Sequence, residues 1–251
     1  MYLLLIHILI LAVPLIVMPR YIIQGYISPY RTVLQATIAV AASATVVFIA
    51  ASMTGEGLFS QIHEMVRAIS REAASNSAIT EMFDMGSADL QERTEMLTNL
   101  YDNLFAMLPS YIITVGAVVS YIEYIILSKI IGRKRQVVKM PKFREFSFPG
   151  GALTGVVIMY LLTWVMTQSG IFTNNMMYIN MDFLFDFTFS IQGVSVVLMF
   201  CHMKRMPYVL GIIIAVILWM TLIGRAVLVM TGMIDLMFGL KGKIRGREIK
   251  K

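Results

Sequence analysis

The chain has 251 residues, of which 58% are apolar and only 14% are charged, and its mean hydropathy is +0.75. A soluble domain averages roughly 45–50% apolar and about 25% charged residues, so the composition predicts an integral membrane protein. It excludes a soluble enzyme, a nucleic-acid-binding protein and a disordered chain. The formal net charge is +6, and a single cysteine, Cys201, excludes a disulfide framework.

Long apolar blocks follow one another along the chain. A helix needs about 20 mostly apolar residues to cross the hydrocarbon core, and five blocks meet or approach that length: 2–18, 33–53, 106–128, 149–168 and 183–201. The first block has no basic region before it and no small-residue cleavage site, so we interpret it as a retained helix rather than a signal peptide. The sequence predicts an all-α polytopic bundle of about six to seven spans, with residues 1–251 forming a single membrane domain.

The last apolar block, 207–240, allows two interpretations. It is long for one span and carries Gly224 and Arg225 near its middle. One interpretation is a tight hairpin that turns at these two residues. The other is a single long tilted helix that holds Arg225 in lipid or inside the bundle. We favour the hairpin because it returns the basic tail, 241–251, to the side of the other basic loops.

The distribution of charge predicts the orientation, because lysine and arginine concentrate on the cytoplasmic side of membrane proteins. Segment 129–144 carries seven of them, and others stand between the first two spans, after the fifth span and in the tail. The opposite face receives segment 55–105, which holds nine of the fifteen acidic residues. We therefore expect a cell-membrane protein with its N-terminus outside and its basic loops and C-terminus in the cytoplasm.

Segment 55–105 is the longest polar stretch and is predicted to be an extracellular helical insertion. Its first part repeats apolar residues at helical spacing: Leu58, Ile62, Met65, Val66, Ile69 and Ala73. Ser87 is predicted to be the N-cap of a second helix, with Asp89 in its first turn. Two roles remain open for this segment, a helical hairpin packed on the outer ends of the bundle or a lid that gates an outward-facing cavity.

Polar side chains at membrane depth are costly and are therefore functional candidates. They gather at the predicted outer ends of the fifth and last spans: Asn175, Asn180, Asp182, Asp186, Gln192 and Arg225. Asp182 and Asp186 are four residues apart and share one helix face. These residues are predicted either to line a ligand-binding pocket open to the outside or to form an interface in which the aspartates pair with Arg225.

Other motifs that carry chemistry are missing from the sequence. His7, His63 and His202 are scattered without the spacing of metal ligands, and no phosphate-binding loop, serine nucleophile or paired-carboxylate motif occurs. We expect no enzyme activity, no metal, no cofactor and no nucleic-acid partner. Small residues along helix 33–53 would allow another helix to approach it closely. Two roles remain open for this helix: packing within the chain and docking of a partner membrane protein.

Four features of the second half occur in a recognisable order. A basic loop ends in Phe148-Pro149, an Asn-rich loop follows, Ile191-Gln192-Gly193 lies inside the next span, and Gly232-Met233-Ile234-Asp235 precedes a basic tail with Arg245. Over about residues 100–251 this order resembles the YybS-like family of predicted bacterial membrane proteins, a domain of unknown function. That family is grouped with the S components of energy-coupling-factor transporters, the membrane subunits that capture vitamins.

The resemblance implies no catalytic residue, because none is established for the family. Its recurrent polar marks are the Gln192-Gly193 pair and Asp235, and we expect Asp235 to cap the last helix or to pair with the tail. The family usually has one more N-terminal helix, so this chain is expected to begin one span late. This expectation agrees with the odd number of spans and the outside N-terminus.

Two functional hypotheses follow. In the first, the protein is a small-molecule-binding, transporter-like subunit in the lipid bilayer that needs a partner ATPase module, because the chain has no nucleotide motif of its own. In the alternative, it is a non-transporting membrane scaffold that binds envelope or sporulation proteins.

Overall fold

The fold is taken from a computed structural model, which describes residues 2–53, 58–82, 85, 88–148, 150–170 and 176–242. Within these residues every element of regular secondary structure is a helix. The α-helices in chain order are α1 (Tyr2–Gln24), α2 (Pro29–Met53), α3 (Leu58–Ser75), α4 (Ser77–Met82), α5 (Leu90–Ala106), α6 (Leu108–Ile131), α7 (Gly150–Gln168), α8 (Met176–Met203), α9 (Tyr208–Met220) and α10 (Leu222–Phe238). A 3₁₀ turn, Phe143–Glu145, precedes α7.

The predicted all-α membrane class is confirmed. Helices α1, α2, α6 and α8 are long and apolar enough to cross a membrane, α9 and α10 together make up to one further span, and α7 contains a shorter apolar helix. This count is roughly consistent with the predicted six to seven spans. The chain divides into two compact units, unit 1 (Met1–Lys139) and unit 2 (Met140–Lys251).

Unit 1 is built on mutual packing of α1, α2 and α6. Its core contains Ile6 and Ile10 from α1, Val40 and Ala44 from α2, and Ile112 from α6. Several small residues of α2 are thus used for packing within the chain, which is one of the two roles that the sequence left open. The other face of α2 is exposed and includes Leu34 and Ile38.

Helices α3 and α5 pack against each other as a hairpin. The sequence was right about Val66 and Ala73, which are buried, but Met65 and Ile69 are largely exposed. The buried side instead includes Ser70, so the face that packs against α5 is rotated by about one residue. The side chains of Leu58 and Ile62 lie outside the described part of the chain. Packing as a hairpin agrees with the simpler of the two roles, and the lid stays a prediction.

The N-cap of α5 is Asp89, not Ser87. The Asp89 carboxylate accepts a hydrogen bond from the backbone N–H of Glu92 (2.7 Å), and the Glu92 carboxylate accepts one from the backbone N–H of Asp89 (3.3 Å). This reciprocal pair is a capping box, which satisfies two backbone donors at once. The prediction was wrong because it weighed the cap residue alone and not the acidic residue three positions later.

Unit 2 is centred on α8 and α10, which touch backbone to backbone. A Cβ placed on Gly193 would overlap the carbonyl oxygen of Leu228, and one placed on Gly232 would overlap that of Phe189. The two glycines therefore allow an approach that larger residues would prevent. Helix α7 packs against α8, and α9 contacts both α8 and α10.

The last apolar block is neither a straight helix nor a hairpin turning at Gly224-Arg225. The chain bends by 110° between α9 and α10, and the break lies at Thr221, whose backbone is extended (φ −97°, ψ 140°). Gly224 and Arg225 lie inside the first turn of α10. Gly224 is required there for space rather than for a turn, because a Cβ would overlap the carbonyl oxygen of Leu218.

Candidate functional site

Unit 2 contains a buried polar cluster, called the Gln192 cluster below: Gln192, Ser195, Asp235, Lys241 and the backbone of residues 146–148. Gln192 lies on α8 with no exposed surface. Its side-chain nitrogen donates to Oδ2 of Asp235 (2.5 Å) and to Oγ of Ser147 (3.3 Å). Its Oε1 accepts from the backbone N–H of Phe148 (3.2 Å). Both polar atoms of the amide are therefore already bonded within the protein.

Lys241 completes the Gln192 cluster from the segment after α10. Its ammonium lies 3.2 Å from Oδ2 of Asp235, and it donates to Oγ of Ser195 (2.6 Å) and to the carbonyl oxygen of Phe146. Its backbone N–H donates to Oδ1 of Asp235 (2.8 Å). Burial lowers the pKa of the Lys241 ammonium, and the adjacent Asp235 carboxylate opposes this by raising it. The expectation that Asp235 pairs with the tail is confirmed.

A left-handed glycine brings Lys241 back to Asp235. Gly239 follows α10 with φ of 61° and ψ of 46°, and its N–H donates to the carbonyl oxygen of Asp235 (2.8 Å). This conformation costs a residue with a side chain more than it costs glycine. The chain therefore reverses immediately after the helix, and the lysine is placed beside the carboxylate rather than in solvent.

Two of the motifs that carry the family resemblance meet in the structure. Gly193 and Gly232 form the close crossing of α8 and α10, and Gln192 and Asp235 are hydrogen-bonded beside it. Motifs 43 residues apart in the chain thus form one structural element. Gln192 is buried, and both polar atoms of its amide are hydrogen-bonded. The cluster therefore holds α8, α10 and the loop at 146–148 together.

A second group of polar residues, called the Asp186 cluster below, lies nearer the N-terminal end of α8: Tyr160, Tyr178, Asp182, Asp186 and Arg225. Arg225, in the first turn of α10, forms an ion pair with Asp186 through Nη2. The Nε of Arg225 is buried and has no hydrogen-bond partner among the described residues. The guanidinium thus has a buried donor that no described residue satisfies.

Two tyrosines extend the Asp186 cluster toward α7. The hydroxyl of Tyr160 lies 2.7 Å from that of Tyr178 and donates to Oδ1 of Asp182 (3.3 Å). The ring of Tyr160 also packs against that of Phe185, with 5.1 Å between centroids. The cluster therefore combines two carboxylates, a guanidinium, two hydroxyls and aromatic surface, which are the groups that would hold a small polar molecule.

The structure brings together some of the predicted ligand-binding residues and separates others. Asp186 pairs with Arg225, and Asp182 lies one helical turn away. Asn180 is buried, with its amide donating to the carbonyl oxygen of Met176 (2.8 Å). Gln192 is six residues beyond Asp186, about 9 Å along the helix, and belongs to the other cluster. Asn175 lies outside the described residues.

The sequence reasoning missed Tyr160, Tyr178, Ser195 and Lys241. Tyr160 reaches its partners on α8 through tertiary contacts that no local pattern predicts. Lys241 lies only six residues after Asp235, and the sequence reasoning had assigned the partner of Asp235 to the tail without naming this residue. Ser195 carried a signal that could have been found, since it lies three residues from Gln192 and thus close to the same helix face. Among the described residues, no group of three or more His, Cys, Asp or Glu side chains is placed to hold a metal ion.

Comparison with known proteins gives a family but no activity. An uncharacterised protein from Bacillus subtilis (strain 168), YybS, is 25% identical over 143 residues, which cover 55% of this chain and 45% of YybS. The match thus spans less than half of that relative's length. No solved structure is significantly similar. The model of the family described as predicted membrane protein (DUF2232) matches residues 1–236, and the chain therefore belongs to the DUF2232 family of predicted membrane proteins.

Proposed function

We propose that this integral membrane protein is a transporter-like subunit that binds a small polar molecule at the Asp186 cluster. The observation that carries the proposal is Arg225, which lies in the first turn of α10 just after the break at Thr221 and has one guanidinium donor without a partner among the residues that the structure describes. Transport sites are commonly formed where a membrane helix is interrupted, because the freed backbone groups and charged side chains there can bind substrate.

The length of α9 supports the position of this site. The helix has 13 residues and spans about 20 Å at 1.5 Å per residue, whereas the hydrocarbon core is about 30 Å thick. If α9 starts at the membrane surface marked by Lys204 and Arg205, the break falls inside the hydrocarbon layer. A buried break of this kind is tolerated where it lines a cavity or is covered by protein.

The proposal includes a partner ATPase module and an orientation. The chain carries no nucleotide-binding motif, so energy for transport would come from another polypeptide, as the expected similarity to S components implies. The basic loops and the C-terminus would face the cytoplasm, in accordance with the bias of Lys and Arg toward that side. The molecule would then be captured from the outside.

Purification of the protein in mild detergent from its native membrane tests this function. Mass spectrometry of one sample would identify both the co-purifying polypeptides and any retained small molecule. We expect a stoichiometric metabolite that is lost from the Asp186→Asn and Arg225→Gln variants. Asp102→Asn serves as a matched control, because it also removes a partly exposed carboxylate that contacts another side chain, with its Oδ1 3.3 Å from Nδ1 of His63 in the α3–α5 hairpin. Equal retention by all three variants would contradict the proposal.

A second candidate function rests on a different feature. Unit 1 has an apolar groove of about 250 Å³ between α2 and α6, lined by small residues of α2 such as Ala41 and Ala44 and by Pro109 of α6. In a scaffold, this groove would receive a helix of a partner membrane protein. Envelope proteins that co-purify with the wild type but not with Ala41→Leu, without any retained metabolite, would favour the scaffold.

A further inference from the structure

The segment after α6 folds back onto the helix that it leaves. The hydroxyl of Tyr124, on α6, donates to the carbonyl oxygen of Val138 (2.8 Å), 14 residues later. Tyr124 is only 2% exposed, so this bond is protected from competing water. At Gly132, where the helix ends, a Cβ would lie 3.1 Å from the Val137 side chain. The segment at residues 137–138 is therefore held close to the end of α6.

This return borders an open cleft of about 800 Å³ whose lining is strongly basic. The lining residues include Lys129, Arg133, Lys134, Arg135 and Lys139. None of these five forms an ion pair with any described residue, and residues 124–144 contain no Asp or Glu. The carbonyl groups at the C-terminal end of α6 add a favourable field for cations there. The cleft thus concentrates positive charge that no ion pair within the described residues neutralises.

The position of the cleft identifies the kind of anion. Helix α6 is a 24-residue apolar span, Lys129 lies in its last turn, and the other four cations follow directly. The cleft therefore opens where the chain leaves the hydrocarbon layer, which is the level of the lipid phosphates. Arginine guanidinium groups bind phosphate oxygens in pairs, and lysines add point charges. Basic pockets at the ends of membrane helices are suited to anionic headgroups.

We propose that the cleft formed by residues 128–139 is a binding site for the headgroup of an anionic phospholipid. This inference is independent of the proposed transport function, because it concerns unit 1 and needs no substrate. It differs from a diffuse attraction of basic loops to the membrane in one respect: the Tyr124–Val138 bond holds the backbone that carries these cations against the end of α6. An uncharged substitution at Tyr124 should therefore weaken lipid binding, although it leaves the net charge unchanged.

The test uses the full chain in detergent, titrated with phosphatidylglycerol or phosphatidylcholine, with bound lipid counted by native mass spectrometry. The triple variant Arg133→Gln, Lys134→Gln, Arg135→Gln removes three cations from the cleft. Its matched control removes three exposed cations elsewhere, by Arg20→Gln, Arg31→Gln and Lys204→Gln. Each removed cation should weaken phosphatidylglycerol binding about fivefold, so that the triple variant loses roughly a hundredfold. Thermal unfolding of each variant checks that it remains folded.

The expected result is one tightly held phosphatidylglycerol per chain, lost in the triple variant, weakened in Tyr124→Phe and retained in the control. Equal binding of phosphatidylcholine would overturn the proposal, as would equal loss in the control triple. Displacement of the lipid by millimolar inorganic phosphate would show a site for free anions instead. Tyr124→Phe that binds like the wild type would reduce the site to unspecific charge and would also overturn the proposal.

Discussion

The two polar clusters of unit 2 lie on the same helix, α8, yet they differ in how completely their groups are bonded. In the Gln192 cluster, the amide, the carboxylate and the ammonium bond to one another and to the loop at 146–148, and Gln192 has no exposed surface. In the Asp186 cluster, the ion-paired side chains are 39% and 28% exposed, for Arg225 and Asp186 respectively, and the Nε of Arg225 has no partner in the described part of the chain.

This difference separates a structural role from a binding role. Buried polar groups that are fully bonded fix an arrangement, and they leave no donor or acceptor for a ligand. Groups that are partly exposed and incompletely bonded contribute less to stability and can bind something else. We therefore expect substitutions in the Gln192 cluster and at the adjoining helix crossing to change folding, and those in the Asp186 cluster to change binding.

The largest effect is expected at the close crossing of α8 and α10. Gly232→Ala would force the methyl group into the carbonyl oxygen of Phe189, and we expect a loss of about 3 kcal/mol or more in the free energy of unfolding. Thermal unfolding in detergent measures it. Gly155→Ala, on α7, is the control, because its Cβ would meet nothing within 4 Å. It should be neutral or stabilise the helix by up to about 1 kcal/mol. Equal stability of the two variants would contradict the crossing.

The next effect is expected at Lys241. Lys241→Met removes the ammonium and leaves the Asp235 carboxylate buried without its charge partner, which typically costs about 3 kcal/mol. The double variant Asp235→Asn, Lys241→Met removes both charges and should recover much of that loss. Thermal unfolding of the single and double variants gives the coupling between the two residues. If the changes in unfolding free energy caused by the two substitutions are additive, Asp235 and Lys241 do not stabilise each other and the proposed pairing is contradicted.

The sequence predicted the helical class, most helix positions and the pairing of Asp235 with the tail. These follow from local signals, namely apolar length, charge bias and the proximity of Lys241 in the chain. The sequence failed at Thr221 and Asp89, where a break or cap depends on the backbone contacts of a few residues. Gly224 was read as a turn, but it is required by close packing against Leu218, which only the tertiary structure reveals.

The candidate site was predicted in part for the same reason. Asp182 and Asp186 could be placed on one face from their spacing, and the partnership of Asp186 with Arg225 was one of the two alternatives considered. Gln192 was assigned to the same site because it lies in the same span. Its partner Asp235 is 43 residues away, and the crossing of α8 and α10 that joins them depends on a pair of glycines whose contact is not visible in either motif alone.

A smaller effect on stability, with a larger effect on binding, is expected at the ion pair of the Asp186 cluster. Because both side chains are partly exposed, Asp186→Asn should cost about 1 kcal/mol or less in the free energy of unfolding. The charge-reversed double variant Asp186→Arg, Arg225→Asp restores an ion pair and should recover that stability without recovering ligand. Thermal unfolding and mass spectrometry of the retained small molecule follow the two properties separately. Recovery of both would assign the pair to folding alone.

The smallest effect on stability is expected at Tyr178. Tyr178→Phe removes the hydroxyl that lies 2.7 Å from that of Tyr160 and keeps the ring. Polar contacts inside membrane bundles are worth about 0.6 kcal/mol on average, so thermal unfolding should hardly change. If the Asp186 cluster binds a polar molecule, Tyr178→Phe should nevertheless reduce its retention, because Tyr160 then loses the partner that orients it toward Asp182. Tyr208→Phe, an exposed tyrosine at the start of α9, is the matched control. A Tyr178→Phe variant that retains the ligand fully but is less stable would contradict the binding role of the Asp186 cluster and would indicate a structural role instead.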